Sequence, residues 1–220
     1  MLLQILTYTH HLTTMLFGIF LSAFFLGVKQ NKKNVCILLG GGAVSGLFFL
    51  ICNTVFGSLF TEAVYPIFVH LPLFLLLVFY YRFRWLPSII SIMTAYLCCQ
   101  FSNWAGIFAL SLSGLEWVYY LVRIIVTVAV FAFLSRYLCQ TTALLFAKSD
   151  RELYILGAMP FVYYVFDYST TKFSMLLYSG NKVVVEFLAF AMCISYVIFL
   201  FVYFQEYELK NSAEQYGQLT

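Results

Sequence analysis

The sequence predicts an all-α protein, a polytopic transmembrane helical bundle of about seven spans. Of its 220 residues, 63% are hydrophobic and only 10% are charged, and the mean hydropathy is +0.93. So few charged residues cannot cover the surface of a water-soluble globule of this size. The apolar residues also form long runs between short charged or turn-forming segments, as in helices that cross a bilayer. We therefore expect a multi-pass cell-membrane protein whose main partner is the lipid bilayer.

A helix needs about 20 mostly apolar residues to cross the hydrocarbon of a membrane. The predicted spans are residues 2–28, 35–60, 63–81, 86–112, 117–137, 153–171 and 184–203. The first lacks the basic start and the cleavage site of a signal peptide, so we expect it to be retained. The loops are too short to hold a second globular domain. Residues 1–203 are therefore predicted to form one seven-span transmembrane domain, and residues 204–220 a cytoplasmic extension.

The basic residues predict the orientation, because short loops rich in Lys and Arg stay on the cytoplasmic side. Nine of the twelve basic residues belong to alternate loops on one side, namely Lys29, Lys32, Lys33, Arg82, Arg84, Arg136, Lys148, Arg151 and Lys210. The other side has Lys172 and Lys182. The N-terminus is therefore expected outside and the C-terminus in the cytoplasm, which requires an odd number of spans.

Several kinds of chemistry are not expected from this sequence. The six cysteines lie in apolar runs or at their edges, where they pack as small residues. Adjacent Cys98 and Cys99 point to different helix faces, so they cannot chelate a metal together. No phosphate-binding loop is present. We expect no catalytic residue, no cofactor and no metal site, and the small net charge of +3 makes nucleic acid an unsuitable partner.

Glycines and prolines within the spans predict how the helices pack and bend. Gly42 and Gly46 have the spacing that lets two membrane helices approach closely, either within the chain or between two copies. Pro66, Pro72 and Pro160 lie inside predicted spans, where each removes one backbone donor. Each proline is therefore expected to kink its helix, which is tolerated when neighbouring groups satisfy the freed carbonyls.

The polar residues inside the spans are the candidates for function, because an ionisable side chain at mid-membrane costs about 3 kcal/mol. We interpret five of them as a ligand-binding pocket open to the outside: His70, Gln100, Asn103, Arg123 and Asp167. His10 and His11 in the first span also fall in the outer half. Arg123 and Asp167 have matched depths and form a candidate ion pair. The alternative is purely structural, with that ion pair as a staple and His70 bonded to a carbonyl freed by a nearby proline.

The last span leads into a charged segment with helical spacing. From Tyr203 onward there is no proline, and Leu209, Ala213 and Tyr216 follow one another at i, i+4 and i+7. This spacing predicts one apolar face of a helix that continues the span toward a coiled coil. The alternative is an ordinary charged segment that ends membrane insertion.

Three stretches carry a resemblance to a known family. They are "YPIFVHLPLFLLLVFYYRFRWLPSIISIMTAYLCCQFSNW" (residues 65–104), "PFVYYVFDYSTTKF" (160–173) and "VVVEFLAFAMCISYVIFLFVYFQEYE" (183–208). Together they resemble the membrane sensor region of bacterial GHKL-type sensor histidine kinases, the two-component kinases related to those that sense quorum peptides. The resemblance implies a bacterial cytoplasmic-membrane location, a homodimer, and a last span that continues into a dimerisation helix and a kinase core. Residues 1–203 would then be the sensor domain, and residues 204–220 the start of the cytoplasmic signalling and dimerisation helix.

The sequence departs from that family in its cytoplasmic part. Its only histidines are His10, His11 and His70, all within spans, so no cytoplasmic phosphoacceptor is present, and the ATP-binding boxes are absent. The given chain therefore cannot autophosphorylate, although the parent family consists of histidine protein kinases. We expect a fragment or a truncated form, which would reach a response regulator only through a kinase core that it lacks.

Two classes of function follow from these features. The first is a signal-input domain that binds a peptide or small amphiphile among the outer halves of its spans and biases two arrangements of the last helix. The second is a small transport subunit that binds its substrate with the same polar cluster near the bilayer midplane. The predicted outside N-terminus and the helical extension favour the first.

Overall fold

The computed structural model describes residues 2–57, 65–147, 150–172 and 182–219, and these residues form helices and no strand. The elements are α1 (Leu2–Phe25), α2 (Lys32–Phe56), α3 (Tyr65–Phe68), α4 (His70–Leu75), a π-helical turn (Leu76–Tyr80), α5 (Trp85–Cys98), α6 (Gln100–Ser113), α7 (Glu116–Tyr137), α8 (Cys139–Phe146), α9 (Asp150–Lys172) and α10 (Lys182–Leu219). The predicted all-α class is therefore confirmed.

Among the described residues, four helical stretches are long and apolar enough to cross a membrane. They are Lys32–Phe56, Trp85–Ser113, Glu116–Tyr137 and Leu188–Lys210. The segment Pro66–Tyr80 is apolar but shorter. Helices α1 and α9 coincide with the first and sixth predicted spans but contain more polar residues, including His10 and Asp167. The membrane character is supported by these four helices, whereas the seven spans and the orientation stay predictions.

Apolar side chains cover the outside of the bundle, and hydroxyl groups lie inside it. Val44 on α2 and Val128 on α7 are 69% and 56% exposed, whereas Ser88, Ser91 and Thr94 on α5 are completely buried. The two serines satisfy their hydroxyls within their own helix, because Ser88 donates to the Arg84 carbonyl at 2.8 Å and Ser91 to the Ser88 carbonyl at 2.9 Å. This distribution suits a surface surrounded by lipid rather than water.

Helix α5 lies at the centre of the bundle and packs against α1 and α9, while α7 packs against α1 and α6. Small side chains on α5 permit this close packing, and Gly157 lets α9 approach it. A Cβ atom placed on Gly157 would lie 2.7 Å from both Cγ1 and Cδ1 of Ile90. Helices α5 and α6 follow one another through a single tightened turn at Cys99.

Gly42 and Gly46 both face α1. A Cβ atom on Gly42 would meet Ile19 Cδ1 at 3.0 Å, and one on Gly46 would meet Met15 Cε at 3.5 Å. The two glycines therefore serve helix packing within the chain, which is the first of the two alternatives that their spacing predicted.

The loops that carry most of the basic residues are connected to one another at one end of the bundle. The Tyr81 hydroxyl donates to Asn34 Oδ1 at 3.4 Å, joining the loop after the π-helical turn to the start of α2. Arg84 forms an ion pair with Asp150 at 2.8 Å, joining the same loop to the start of α9. We call this end of the bundle the basic end.

Helix α10 contains 38 residues and runs without interruption from Lys182 to Leu219. At about 1.5 Å per residue it is about 57 Å long, which exceeds the thickness of a bilayer's hydrocarbon core. Tyr203 lies half-buried beside Phe199, with ring centroids 5.8 Å apart, whereas Leu209 is 71% exposed. The helix of the last predicted span therefore continues through residues 204–219, and Ala213 and Tyr216 lie on it. Its role as a signalling helix stays a prediction. The boundary between residues 203 and 204 stays a prediction.

Candidate functional site

An apolar cleft of about 340 Å³ lies between α4, α5 and α9. Its lining residues are His70, Leu71, Phe74, Ile89, Ile92, Met93 and Tyr164. Only His70 and Tyr164 among them carry strong hydrogen-bonding groups. A cleft of this size with one polar corner suits a small amphiphile that presents a single polar group.

The polar corner of the cleft continues into a network of tyrosines and one carboxylate. His70 Nδ1 and the Tyr164 hydroxyl are hydrogen-bonded at 2.9 Å. The Tyr96 ring lies edge-on to both neighbours, with centroids 5.7 Å from His70 and 5.1 Å from Tyr164. Its hydroxyl donates to Asp167 Oδ2 at 2.5 Å. His70 and Asp167 are thus brought into one network, which we call the tyrosine network (His70, Tyr96, Tyr164, Asp167).

The other three predicted site residues form a second group between α6 and α7. The Arg123 guanidinium donates to Asn103 Oδ1 and to the Tyr119 hydroxyl. Asn103 Nδ2 in turn donates to Gln100 Oε1 at 3.1 Å. Gly106 makes room for the Arg123 stem, because a Cβ atom on Gly106 would overlap Arg123 Cγ. This group anchors α7 to α6 and does not line the cleft.

The predicted pairing of Arg123 with Asp167 is therefore wrong for the described residues. Arg123 bonds to Asn103 and Tyr119, while Asp167 accepts a bond from Tyr96. The reason is the packing order of the helices: α7 lies against α1 and α6, whereas α9 lies against α5. Equal depth in the membrane did not place the two charges on facing helices. The predicted single pocket is divided into two groups as a consequence.

A third set of contacts links α9, one of the helices that line the cleft, to α10. Pro160 lacks an N–H, so the Leu156 carbonyl loses its helical donor. The Tyr196 hydroxyl of α10 donates to that carbonyl at 2.9 Å. The Thr94 hydroxyl lies 3.4 Å from the Tyr196 hydroxyl and, because Tyr196 has given its single proton to Leu156, acts as its donor. Tyr196 thus joins α5, α9 and α10 at one buried point, which we call the Tyr196 junction (Thr94, Leu156, Pro160, Tyr196).

The sequence predictions missed the tyrosines, and their spacing contained the signal. Tyr164 and Asp167 are three residues apart on one helix, and Tyr119 and Arg123 are four apart, so each pair shares a helix face. Tyr96 has no such partner within its own helix, and only the packing of α5 on α9 brings it to Asp167. A tyrosine one helical turn from a charged residue within a span is therefore the feature that would have identified Tyr164 and Tyr119.

The bond between Tyr96 and Asp167 is expected to stabilise the contact between α5 and α9. We predict that Tyr96→Phe and Asp167→Ala each lower the free energy of unfolding by about 1–2 kcal/mol, because each removes one half of the bond between the Tyr96 hydroxyl and Asp167 Oδ2. The double variant should lose about as much as one single variant. Unfolding by SDS titration in dodecyl maltoside measures all three.

Tyr154→Phe supplies the matched control, since Tyr154 is on the same helix and is 61% exposed. It should leave the unfolding free energy unchanged. Strictly additive losses in the Tyr96 and Asp167 variants would contradict a direct bond between these residues.

Comparison of the chain with known protein families, with curated proteins and with solved structures found no match. The function is therefore inferred from the residues of the chain and their contacts.

Proposed function

We propose that the chain is the membrane-embedded input domain of a two-component sensor kinase of the bacterial GHKL type. In this proposal seven helical segments cross the cytoplasmic membrane, with the N-terminus outside and α10 entering the cytoplasm. The cleft beside His70 and Tyr164 binds a small amphiphile or a peptide side chain. Helix α10 passes the resulting change to a kinase core, in a homodimer, and the kinase core in turn phosphorylates a response regulator.

The gathering of basic residues at one end of the bundle supports this orientation. The loops at that end are tied together by the Asn34–Tyr81 hydrogen bond and the Arg84–Asp150 ion pair. Because basic loops are retained on the cytoplasmic side, the basic end is assigned to the cytoplasm. The C-terminal part of α10 leaves the bundle at this end, since Tyr203 is close enough to Glu152 near the start of α9 to interact with it electrostatically.

The observation that carries the proposal is the Tyr196 junction. Tyr164 lines the cleft four residues after Pro160, and Leu156 lies four residues before it, so the two groups are on opposite sides of the proline in one helix, the position at which a helix bends most readily. A ligand that displaces Tyr164 changes the direction of α9 at Pro160. That change moves the Leu156 carbonyl relative to the Tyr196 hydroxyl, which belongs to α10.

A ligand can shift the equilibrium between two arrangements of α10 only if it binds one of them with higher affinity than the other. A ligand that hydrogen-bonds to His70 competes with the His70–Tyr164 bond, and so favours the arrangement in which Tyr164 has moved away. A stiff helix of about 57 Å then carries the displacement beyond the membrane surface. The exposed side chain at Leu209 is available to a partner helix there.

The proposal is tested by fusing residues 1–220 to the cytoplasmic core of a reporter histidine kinase. We expect the fusion to change its phosphorylation output in response to medium conditioned by the source cells or to single-chain alcohols. Filling the cleft with Ile89→Trp should abolish the response, and Ile67→Trp, at a 56% exposed position on α3 outside the cleft, should preserve it.

An active fusion that answers none of these stimuli would contradict the input-domain proposal. Purified protein that retains a small molecule tightly, in a chain whose fusion is silent, would favour the transport subunit instead.

A further inference from the structure

The basic end of the bundle contains a second and larger depression, away from the cleft. It has a volume of about 860 Å³ and lies between the segment after α1 and the helices α7 and α8. Its polar lining consists of Lys29, Gln30, Ser135, Arg136 and Gln140, and its other walls include Phe24, Val28 and Leu144. Neither the ligand cleft nor the Tyr196 junction involves these residues.

The backbone holds Lys29 at the edge of this depression. Helix α1 ends at Phe25, and Gly27 just after it adopts the left-handed conformation with φ of +85°. The Gly27 N–H donates to the Phe24 carbonyl at 2.9 Å and the Val28 N–H to the Ala23 carbonyl at 3.1 Å, the pair of bonds that closes a helix ending in a glycine. A Cβ atom on Gly27 would lie 3.3 Å from the Cβ of Ala143, so the turn is seated directly on α8. The Lys29 carbonyl then accepts a bond from Asn34 Nδ2 at 2.8 Å.

The second cation comes from the other wall. Arg136 is in the last turn of α7, with its guanidinium carbon 6.0 Å from the centre of the Tyr137 ring. Within the described part of the chain, neither Lys29 nor Arg136 has a carboxylate partner, and the lining of the depression contains no Asp or Glu. Two uncompensated cations and three neutral hydrogen-bonding side chains therefore surround one space.

The charge and the surroundings of this space identify its ligand. Tyr137 and Leu144 are 55% and 57% exposed, and Phe133, one turn before Tyr137 on α7, is 51% exposed. An apolar face thus runs from the depression along α7 in the direction of the membrane interior. A phosphodiester with attached acyl chains matches both parts, because basic pockets at the ends of membrane helices bind anionic headgroups.

We propose that this depression binds the headgroup phosphate of an anionic phospholipid from the leaflet at the basic end, with acyl chains lying along Phe133 and Tyr137. The inference requires the bundle to sit in a membrane and does not depend on the signalling function. Lys29 and Arg136 provide the charge, and Gln30, Ser135 and Gln140 provide hydrogen bonds to the phosphate oxygens.

The test uses the full chain in dodecyl maltoside and counts phosphatidylglycerol bound per protein by native mass spectrometry over a lipid titration. The double variant Lys29→Gln/Arg136→Gln should bind about tenfold more weakly than the unchanged chain. The control Lys32→Gln/Lys33→Gln removes the same charge from the same end but from outside the depression, and it should stay within about twofold.

Two further arms identify the source of the phosphate. Phosphatidylcholine should bind weakly to the unchanged chain. Its binding to the two double variants should be equally weak. Inorganic phosphate at about 20 mM should not displace the lipid. At this concentration the salt screens the charges of the depression only moderately. Equal loss of phosphatidylglycerol in both double variants would overturn the proposal, as would displacement of the lipid by inorganic phosphate, which would indicate a site for a soluble anion.

Discussion

Replacing Gly157 with alanine is expected to lower the free energy of unfolding by about 1–3 kcal/mol, the usual cost of overfilling a packed core. The added methyl group would lie 2.7 Å from Cγ1 and Cδ1 of Ile90. Cγ1 is attached directly to a branched Cβ on a helix, so it cannot turn away freely. The clash therefore has to separate α5 from α9, two of the three helices that form the cleft and the tyrosine network.

A double-mutant cycle with Ile90→Ala isolates this contact. Ile90→Ala alone leaves a cavity and is also destabilising, but it removes the atoms that the new methyl group meets. In that background Gly157→Ala should cost little or nothing. Gly40→Ala is the matched control, because a Cβ atom at this helical glycine meets nothing within 4 Å. A Gly157→Ala protein as stable as the unchanged chain, measured by SDS titration, would contradict the close packing of α5 on α9.

Replacing Tyr196 with phenylalanine is expected to uncouple the cleft from α10 while leaving the fold intact. The substitution removes the donor to the Leu156 carbonyl, and a buried carbonyl without a partner should cost about 1 kcal/mol. The aromatic ring and its packing remain. In the reporter fusion we expect basal kinase activity to persist and the response to stimuli to fall by about tenfold, a coupling of the usual size between two sites.

The proline provides a specific check on this interpretation. Pro160→Ala restores an N–H at position 160, which can donate to the Leu156 carbonyl as in an ordinary helix. In that background Tyr196→Phe should no longer lower the unfolding free energy. If Tyr196→Phe costs the same with Pro160 present or replaced, the bond to Leu156 is not the source of the effect. Ser195→Ala, at a neighbouring position outside the junction, should leave both stability and response unchanged.

The helices were largely predictable because their limits are set by local features. The predicted spans 35–60 and 117–137 correspond to α2 (Lys32–Phe56) and α7 (Glu116–Tyr137), and both helices begin at charged residues where an apolar run starts. The fourth predicted span, 86–112, corresponds to α5 and α6 together. The third predicted span is divided, in its described part, into α3, α4 and the π-helical turn. Pro72 lacks the N–H that would donate to the carbonyl of Phe68, the residue at which α3 ends.

The arrangement of the candidate site was less predictable, because it depends on which helices are neighbours. Depth along a span follows from counting residues, and this placed Arg123 and Asp167 at the same level. Rotation and packing partner do not follow from counting, so the division into two polar groups was missed. Tyr196 gave no signal of its own in the sequence. Pro160 did, because a freed carbonyl inside a membrane helix requires a donor from a neighbouring helix.

The most direct test of the account measures the position of α10 when the cleft is filled. Spin labels at positions 85 and 209, introduced by Trp85→Cys and Leu209→Cys in a Cys36→Ser background, occupy exposed sites on α5 and on the distal part of α10. Pulsed electron paramagnetic resonance then gives the distance between them, with Ile89→Trp used to fill the cleft. We expect the mean distance to change by about 2 Å, the usual scale of helix shifts, when Tyr196 is present, and to stay constant in the Tyr196→Phe protein. An equal change in both proteins, or no change in either, would contradict the proposal that the cleft acts on α10 through the Tyr196 junction.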